Sequence, residues 1–173
     1  MAYKFLESKI SVSTDNAIHV AKNIKLQDLD NPELRLESCG NLASKLAESD
    51  RIRDELIFFQ RDFPKKKVGA VLDGRDIGSV IFPDAKIKLF VIADLEVRAQ
   101  RRQVDYKKMG QEYSLKDLTE KLKERDKRDK TRKVSPLICM PDAIVFDNSE
   151  ISFERLNKEI IEIVEKKYKS LNL

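Results

Sequence analysis

The chain has 173 residues, 41% of them hydrophobic and 37% charged, which bounds it to about one globular domain with a real core and a densely charged surface. Its net charge of +4 is a small surplus of 34 basic over 30 acidic residues; this argues against a dedicated DNA-binding surface and permits binding of a small anion. Cys39 and Cys139 have no ligand-like spacing and there is one histidine, so a disulfide framework or zinc site is not expected, and a reducing, cytoplasmic setting is.

Met1-Ala2-Tyr3-Lys4-Phe5-Leu6-Glu7 carries no signal-peptide pattern, and no apolar run approaches membrane length. A short strand is a candidate over Ala21–Asp28. Asn31-Pro32-Glu33-Leu34 marks a turn into a helical stretch, and Arg51–Phe63 forms another helix. The first 63 residues therefore predict a helical insertion or small subdomain leaning on a sheet. Val68–Leu72, Ile87–Ala93 and Ala143–Phe146 are rich in Val, Ile, Leu or Phe, and each leads into an aspartate (Asp73, Asp94, Asp147). They predict buried parallel strands. The spacing predicts a helix over Leu95–Met109, with Asp94 as N-cap and Gly110 just past its end. Ser114-Leu115-Lys116-Asp117 resembles a capping box opening a second helix that runs to about Lys133, ahead of Pro136. Phe153–Tyr168 repeats apolar residues at Leu156, Ile160, Ile161, Ile163 and Val164, predicting a helix with one face on the sheet. The alternation is that of an α/β fold with a mainly parallel sheet.

In open parallel sheets, ligands bind beyond the carboxyl ends of the strands, where Gly74-Arg75-Asp76 is expected. The glycine permits a sharp turn, the guanidinium can fork onto a phosphate, and the carboxylate can accept a base's amino group. Taken alone, the tripeptide fits a turn with a surface salt bridge somewhat better. On the second helix Arg125, Asp129 and Arg132 share a face at i, i+4 and i+7, with Arg128 offset beside it. Two arginines around one aspartate suit a phosphorylated ribose, although a charge run by itself is more often a solvated face. Arg98, Arg101, Arg102, Lys107 and Lys108 form either a basic solvated face or a cationic lid segment.

Gly69 and Gly74 fall at the glycine spacing of a P-loop. The residues between them are strand-like, and Arg75-Asp76 replaces the Lys-Ser/Thr pair, so this is not a phosphate cradle of that type. His19, alone in an expected helix, is structural or surface-exposed.

The ordered combination is more specific than any piece. It runs Asn31-Pro32-Glu33-Leu34-Arg35, Ala43-Ser44, Arg51-Ile52-Arg53 and Gln60-Arg61-Asp62-Phe63. Leu72-Asp73-Gly74-Arg75-Asp76-Ile77-Gly78-Ser79-Val80-Ile81-Phe82-Pro83-Asp84-Ala85 follows, then Arg125-Asp126-Lys127-Arg128-Asp129 and Arg132-Lys133-Val134-Ser135-Pro136-Leu137. Over essentially its whole length the chain resembles bacterial cytidylate kinase.

The resemblance implies transfer of ATP's γ-phosphate to CMP or dCMP with Mg²⁺ accompanying ATP, in the cytoplasm, by a monomer without nucleic-acid or membrane partners. It implies the nucleoside-monophosphate-kinase fold: a parallel sheet with flanking helices in a single domain of residues 1–173. Within it lie a monophosphate-binding insertion at about 21–66, and a core at 67–173 with a short lid near 101–114. By motif, Ser44, Arg53 and Asp76 look like readers of the cytosine edge, with Asp76 accepting from the exocyclic amine. Arg75 and Arg132 look like phosphate ligands, Arg125 and Asp129 like ribose and phosphate contacts, and Arg101 and Arg102 like the lid side facing ATP. Of these, Arg125 and Arg132 are the expected catalytic groups. The protein's part would be positioning and charge stabilisation, with no covalent nucleophile.

The resemblance also has a gap. Family members begin with a strand, a Gly-x-x-x-x-Gly-Lys-Gly/Ser-Thr loop, its helix and a motif ending in Tyr-Arg, about forty residues that this sequence does not contain. The expectation is a truncated form, through a misplaced start or gene decay, lacking the central strand, the P-loop and one CMP-phosphate arginine, and unable to phosphorylate CMP alone. Two other readings stand beside it: a non-catalytic CMP-binding remnant, and a basic helical RNA-binding protein. The interleaved acids and scarce aromatics of Arg98–Lys108 count against the RNA reading.

Overall fold

The structure, a computed structural model, describes residues 1–8, 13–66 and 69–170. In chain order the helices and strands are α1 (Ala2–Ser8), α2 (Thr14–Lys22), α3 (Glu37–Leu46), α4 (Asp50–Asp62), β1 (Leu89–Ile92), α5 (Leu95–Lys108), α6 (Leu115–Thr131), β2 (Ile144–Asp147) and α7 (Phe153–Ser170). The chain divides into two compact units, one of Met1–Ile77 with Glu124–Leu137, the other of Gly78–Lys123 with Ile138–Leu173. No helix among the described residues is long and apolar enough to cross a membrane.

The first unit is helical, as its sequence predicts. Its apolar centre joins Ala2, Tyr3 and Phe5 of α1, Ala17 and Val20 of α2, Cys39 and Leu46 of α3 and Ile52 of α4. Local chemistry sets the helix starts: Ser13 Oγ accepts from the Asn16 N–H, and Asn31 Oδ1 accepts from the Glu33 N–H ahead of Pro32. The strand expected over Ala21–Asp28 does not form. Ala21 and Lys22 finish α2, and a 3₁₀ turn begins at Leu26. Asp28 explains the difference: its carboxylate accepts from the Lys25 N–H and the Tyr3 hydroxyl and pairs with Lys4 Nζ at 2.6 Å, tying the segment into a turn. The Lys4 ammonium beside it, with the Lys25 N–H, holds the Asp28 carboxyl down at about 2.

The second strand prediction that fails is Val68–Leu72. Val68 lies outside the described residues. Gly69–Asp73 has extended composition but no ladder, and Val71 is 97% exposed. A strand is made by its partner, and among the described residues no backbone hydrogen bond joins this run to a neighbour. Gly74–Asp76 then bends into a five-residue π-turn, Ile77–Ile81.

In the second unit, β1 and β2 pair in parallel, Leu89 opposite Ile144 and Ile92 opposite Asp147. Each begins and ends within one or two residues of its expected bounds. The sheet is less buried than the sequence predicts, because these are the two paired strands among the described residues: Val91, Ile92 and Val145 are exposed and Phe146 is buried. Helix α5 ends as expected. Gly110 takes a left-handed φ of 73°, the Gln111 N–H reaches the Tyr106 carbonyl at 2.9 Å, and the Gly110 N–H reaches that of Lys107 at 3.1 Å, a Schellman closure. At the other end Asp94 occupies the N-cap position, but its side chain makes no capping bond; its N–H donates to Ser149 Oγ instead. Ser114 does cap α6, accepting from the Asp117 N–H at 3.0 Å. A small core of Ala99, Tyr106 and Leu118 holds α5 to the start of α6, with the Tyr106 and Tyr113 rings 5.0 Å apart. Helix α7 forms, but its packing face is incomplete: Ile160, Ile163 and Val164 are half-buried and Ile161 is 56% exposed. The parallel α/β class predicted by the sequence is the class observed.

Candidate active site

Asp129 is the centre of the first unit's polar interior, with 1% of its surface exposed. It sits on the last full turn of α6, one turn past Arg125, so the i, i+4 spacing brings both onto one face. Ser44 Oγ, from α3, donates to Asp129 Oδ1 at 2.7 Å. Arg75 Nε donates to Asp129 Oδ2 at 3.1 Å. Arg125 Nε and Arg132 Nη1 stand 3.8 and 3.9 Å from the same carboxylate, close enough to share its charge. A second pair lies in the same unit: Arg53 Nη2 donates to Asp76 Oδ2, and Asp76 is itself buried.

The helices make this arrangement possible. Gly40, Asn41, Ser44 and Glu48 share one side of α3 and the residues just after it. A Cβ on Gly40 would stand 2.9 Å from Arg125 Nη1, so the absence of a side chain there makes room for that guanidinium. Arg128 donates from Nη1 to Asn41 Oδ1 at 3.1 Å and approaches Glu48 Oε1 at 3.6 Å, clamping α3 to α6. After α6 the chain folds back, and the Leu137 N–H reaches the Asp129 carbonyl at 2.7 Å.

Four guanidiniums, from Arg53, Arg75, Arg125 and Arg132, gather with the two buried carboxylates of Asp76 and Asp129. Their forked donors suit the oxygens of a phosphate monoester. Arg132 is the most buried of the four guanidinium side chains. Burial pushes its guanidinium below its ordinary value and Arg53 adds to this, while Asp129 and Asp76 oppose. Arg75, 40% exposed, keeps the most open guanidinium of the four.

The structure thus brings together Ser44, Arg53, Arg75, Asp76, Arg125, Asp129 and Arg132, all named from the sequence. It groups them differently in one respect: Ser44 sits on Asp129, and Arg53 and Asp76 form their own pair. Arg101 and Arg102 belong to the other unit. There Arg101 donates to Asn148 Oδ1 and to the carbonyls of Asn148 and Ile151, and Arg102 donates to the Tyr106 hydroxyl at 3.0 Å. His19 is exposed on α2.

Sequence reasoning missed three contributors. Gly40 has no motif of its own, and the Arg128 clamp was visible only as an arginine offset from the expected face. Ser135, which accepts from Arg53 Nε at 3.1 Å, lies within the Arg132–Leu137 motif, where the resemblance implies no role for it. A serine directly before a proline and three residues after a site arginine was the available signal.

Residues 3–166 match the family model described as cytidylate kinase. A cytidylate kinase of Cereibacter sphaeroides (strain KD131 / KCTC 12085) is 38% identical over 165 residues, 95% of this chain and 80% of that protein. One of Methylococcus capsulatus is 45% identical over 129 residues, 75% of this chain and 58% of its own length. One of Bartonella henselae is 39% identical over 155 residues, covering 89% and 72%. With the family match running through nearly the whole chain, and through every residue of the arginine–aspartate cluster, the chain belongs to the cytidylate kinase family of phosphotransferases.

Proposed function

We propose that the first unit binds cytidine monophosphate or its deoxy form as the acceptor for ATP's γ-phosphate. The observation that carries this reading is the buried Asp129 carboxylate gathered with the guanidiniums of Arg75, Arg125 and Arg132, with the Arg53–Asp76 pair in the same unit. Asp129 accepts the ribose hydroxyls, with Ser44 holding its other oxygen. Arg75, Arg125 and Arg132 take the phosphate. Asp76, held by Arg53, accepts from the cytosine exocyclic amine, the usual carboxylate–cytosine pairing. In the transfer the CMP phosphate oxygen attacks the γ-phosphorus in line as the bond to the β,γ-bridging oxygen breaks and ADP leaves. The arginines neutralise the charge that gathers there, and no protein nucleophile is required.

Residues 21–66 are then the monophosphate-binding insertion and 101–114 a short lid, with Arg101 and Arg102 on the ATP side of a single-domain, monomeric, cytoplasmic enzyme. Mg²⁺ would accompany ATP, as for a phosphotransferase of this family. The 173 residues contain no Gly-x-x-x-x-Gly-Lys-Ser/Thr stretch. A polypeptide of these residues alone is therefore proposed to bind CMP while transferring phosphate poorly or not at all.

Calorimetric titration tests both parts. CMP binds the 173-residue chain, Asp76→Ala weakens CMP more than UMP, and added ATP gives no robust turnover. Failure of CMP to bind sinks the acceptor-site reading, and robust turnover by the purified chain sinks the second part.

A further inference from the structure

We propose that Ser135 is a positioning residue that aims Arg53 at the base of the bound nucleotide, an inference that rests on the monophosphate site described above. Ser135 has a φ of 45°, the one non-glycine residue in the left-handed region among the described residues. Two effects oppose that conformation: the clash of its own Cβ, and the ring of Pro136, which biases the preceding residue toward extended backbone. A backbone so disfavoured persists only where its surroundings over-determine it.

Here they do. Arg132 Nε donates to the Ser135 carbonyl at 2.9 Å, and Arg53 Nε donates to Ser135 Oγ at 3.1 Å. The Leu137 N–H, two residues on, is anchored to the Asp129 carbonyl at 2.7 Å. One strained residue therefore registers two site arginines, one through its main chain and one through its hydroxyl. With Nε held by Ser135 and Nη2 held by Asp76, the plane of the Arg53 guanidinium is fixed. Its remaining N–H groups have a defined direction before any ligand arrives. Asp76 gains the same constraint through its partner. Unaided, a long arginine side chain samples several rotamers, and ordering it on binding would weaken the complex.

The two attachments are separable. Ser135→Ala removes the hydroxyl that orients Arg53 and keeps the carbonyl that holds Arg132. Ser135→Gly does the same while relieving the left-handed backbone, because glycine adopts positive φ freely. The test titrates wild type and both variants with CMP, and with ribose 5-phosphate, which carries sugar and phosphate but no base. Both variants are expected to bind CMP about fivefold more weakly, the factor a single lost hydrogen bond gives. Ribose 5-phosphate affinity stays within about twofold, and Ser135→Gly melts above Ser135→Ala. A loop that merely stabilises the unit would weaken both ligands by the same factor, which overturns the proposal. Unchanged CMP affinity in both variants also overturns it while leaving the monophosphate site standing. A wild-type chain that does not bind CMP overturns the site and this inference together.

Discussion

Helices α5 and α6 look alike as sequence, each a run of arginine and lysine broken by acids, and they use those charges in different ways. On α5, Arg98 and Arg101 donate to backbone carbonyls at loop ends, and Lys107 and Lys108 are exposed in its last turn. These bonds tie the loop ends to the helix. On α6, Asp129 is buried, and the last turn gathers Arg125 and Arg132 around it along with Ser44 from α3 and Arg75 from the bend after Asp73. Burial, and convergence of residues distant in sequence, separates the candidate site from a solvated face. Charge density does not.

The largest expected effect is at Asp129. Asp129→Ala removes the acceptor of Ser44 and Arg75 and leaves clustered guanidiniums facing one another, at about 3–5 kcal/mol. Chemical denaturation should show a midpoint far below wild type, and CMP binding should vanish. Arg101→Ala, the counterpart on α5, should cost no more than about 1 kcal/mol. Equal losses at the two positions would erase the distinction between the helices.

Gly40→Ala separates site from stability within α3. Alanine in a helix is favoured over glycine by up to about 1 kcal/mol, but its Cβ would meet Arg125 Nη1 at 2.9 Å and displace it. The melting temperature should hold or rise while CMP affinity falls about fivefold. A variant that loses stability and keeps affinity would show that Arg125 is structural.

A smaller effect sharpens the comparison from outside the site. The Asp28 carboxyl, at about 2 in the folded chain, lies below its ordinary value of 3.8, chiefly through Lys4. A depressed carboxyl stabilises the fold fully above its unfolded value, and that contribution is lost as pH falls through the folded one. Asp28→Asn should therefore melt below wild type at pH 7, with the gap closing as pH approaches 2. A gap independent of pH would mean the turn is held by other contacts.

Much of the site was legible in the sequence because its residues sit at spacings that a helix turns into one face, as at Arg125, Asp129 and Arg132. Ser44, Arg53, Arg75 and Asp76 come from three further segments, and only the ordered resemblance linked them. The place of Ser44 on Asp129 depends on how α3 packs on α6, where Gly40 makes room for Arg125 and Asn41 accepts from Arg128, and no local pattern announces it. The fold follows the same division. The Ser114 cap and the Gly110 closure are local hydrogen-bond chemistry and came out as expected. The strands expected at Val68–Leu72 and Ala21–Asp28 depended on partners: Gly69–Asp73 has none among the described residues, and Asp28 gathers the other into a turn.

The most direct measurement is an arginine Nε–Hε spectrum of the chain during titration with CMP. Arg53, Arg75, Arg125 and Arg132 should shift together and saturate at one concentration, while Arg98, Arg101 and Arg102 stay in place. Shifts confined to the arginines of α5, or none on saturation with CMP, would contradict the assignment of the Asp129 cluster as the monophosphate site.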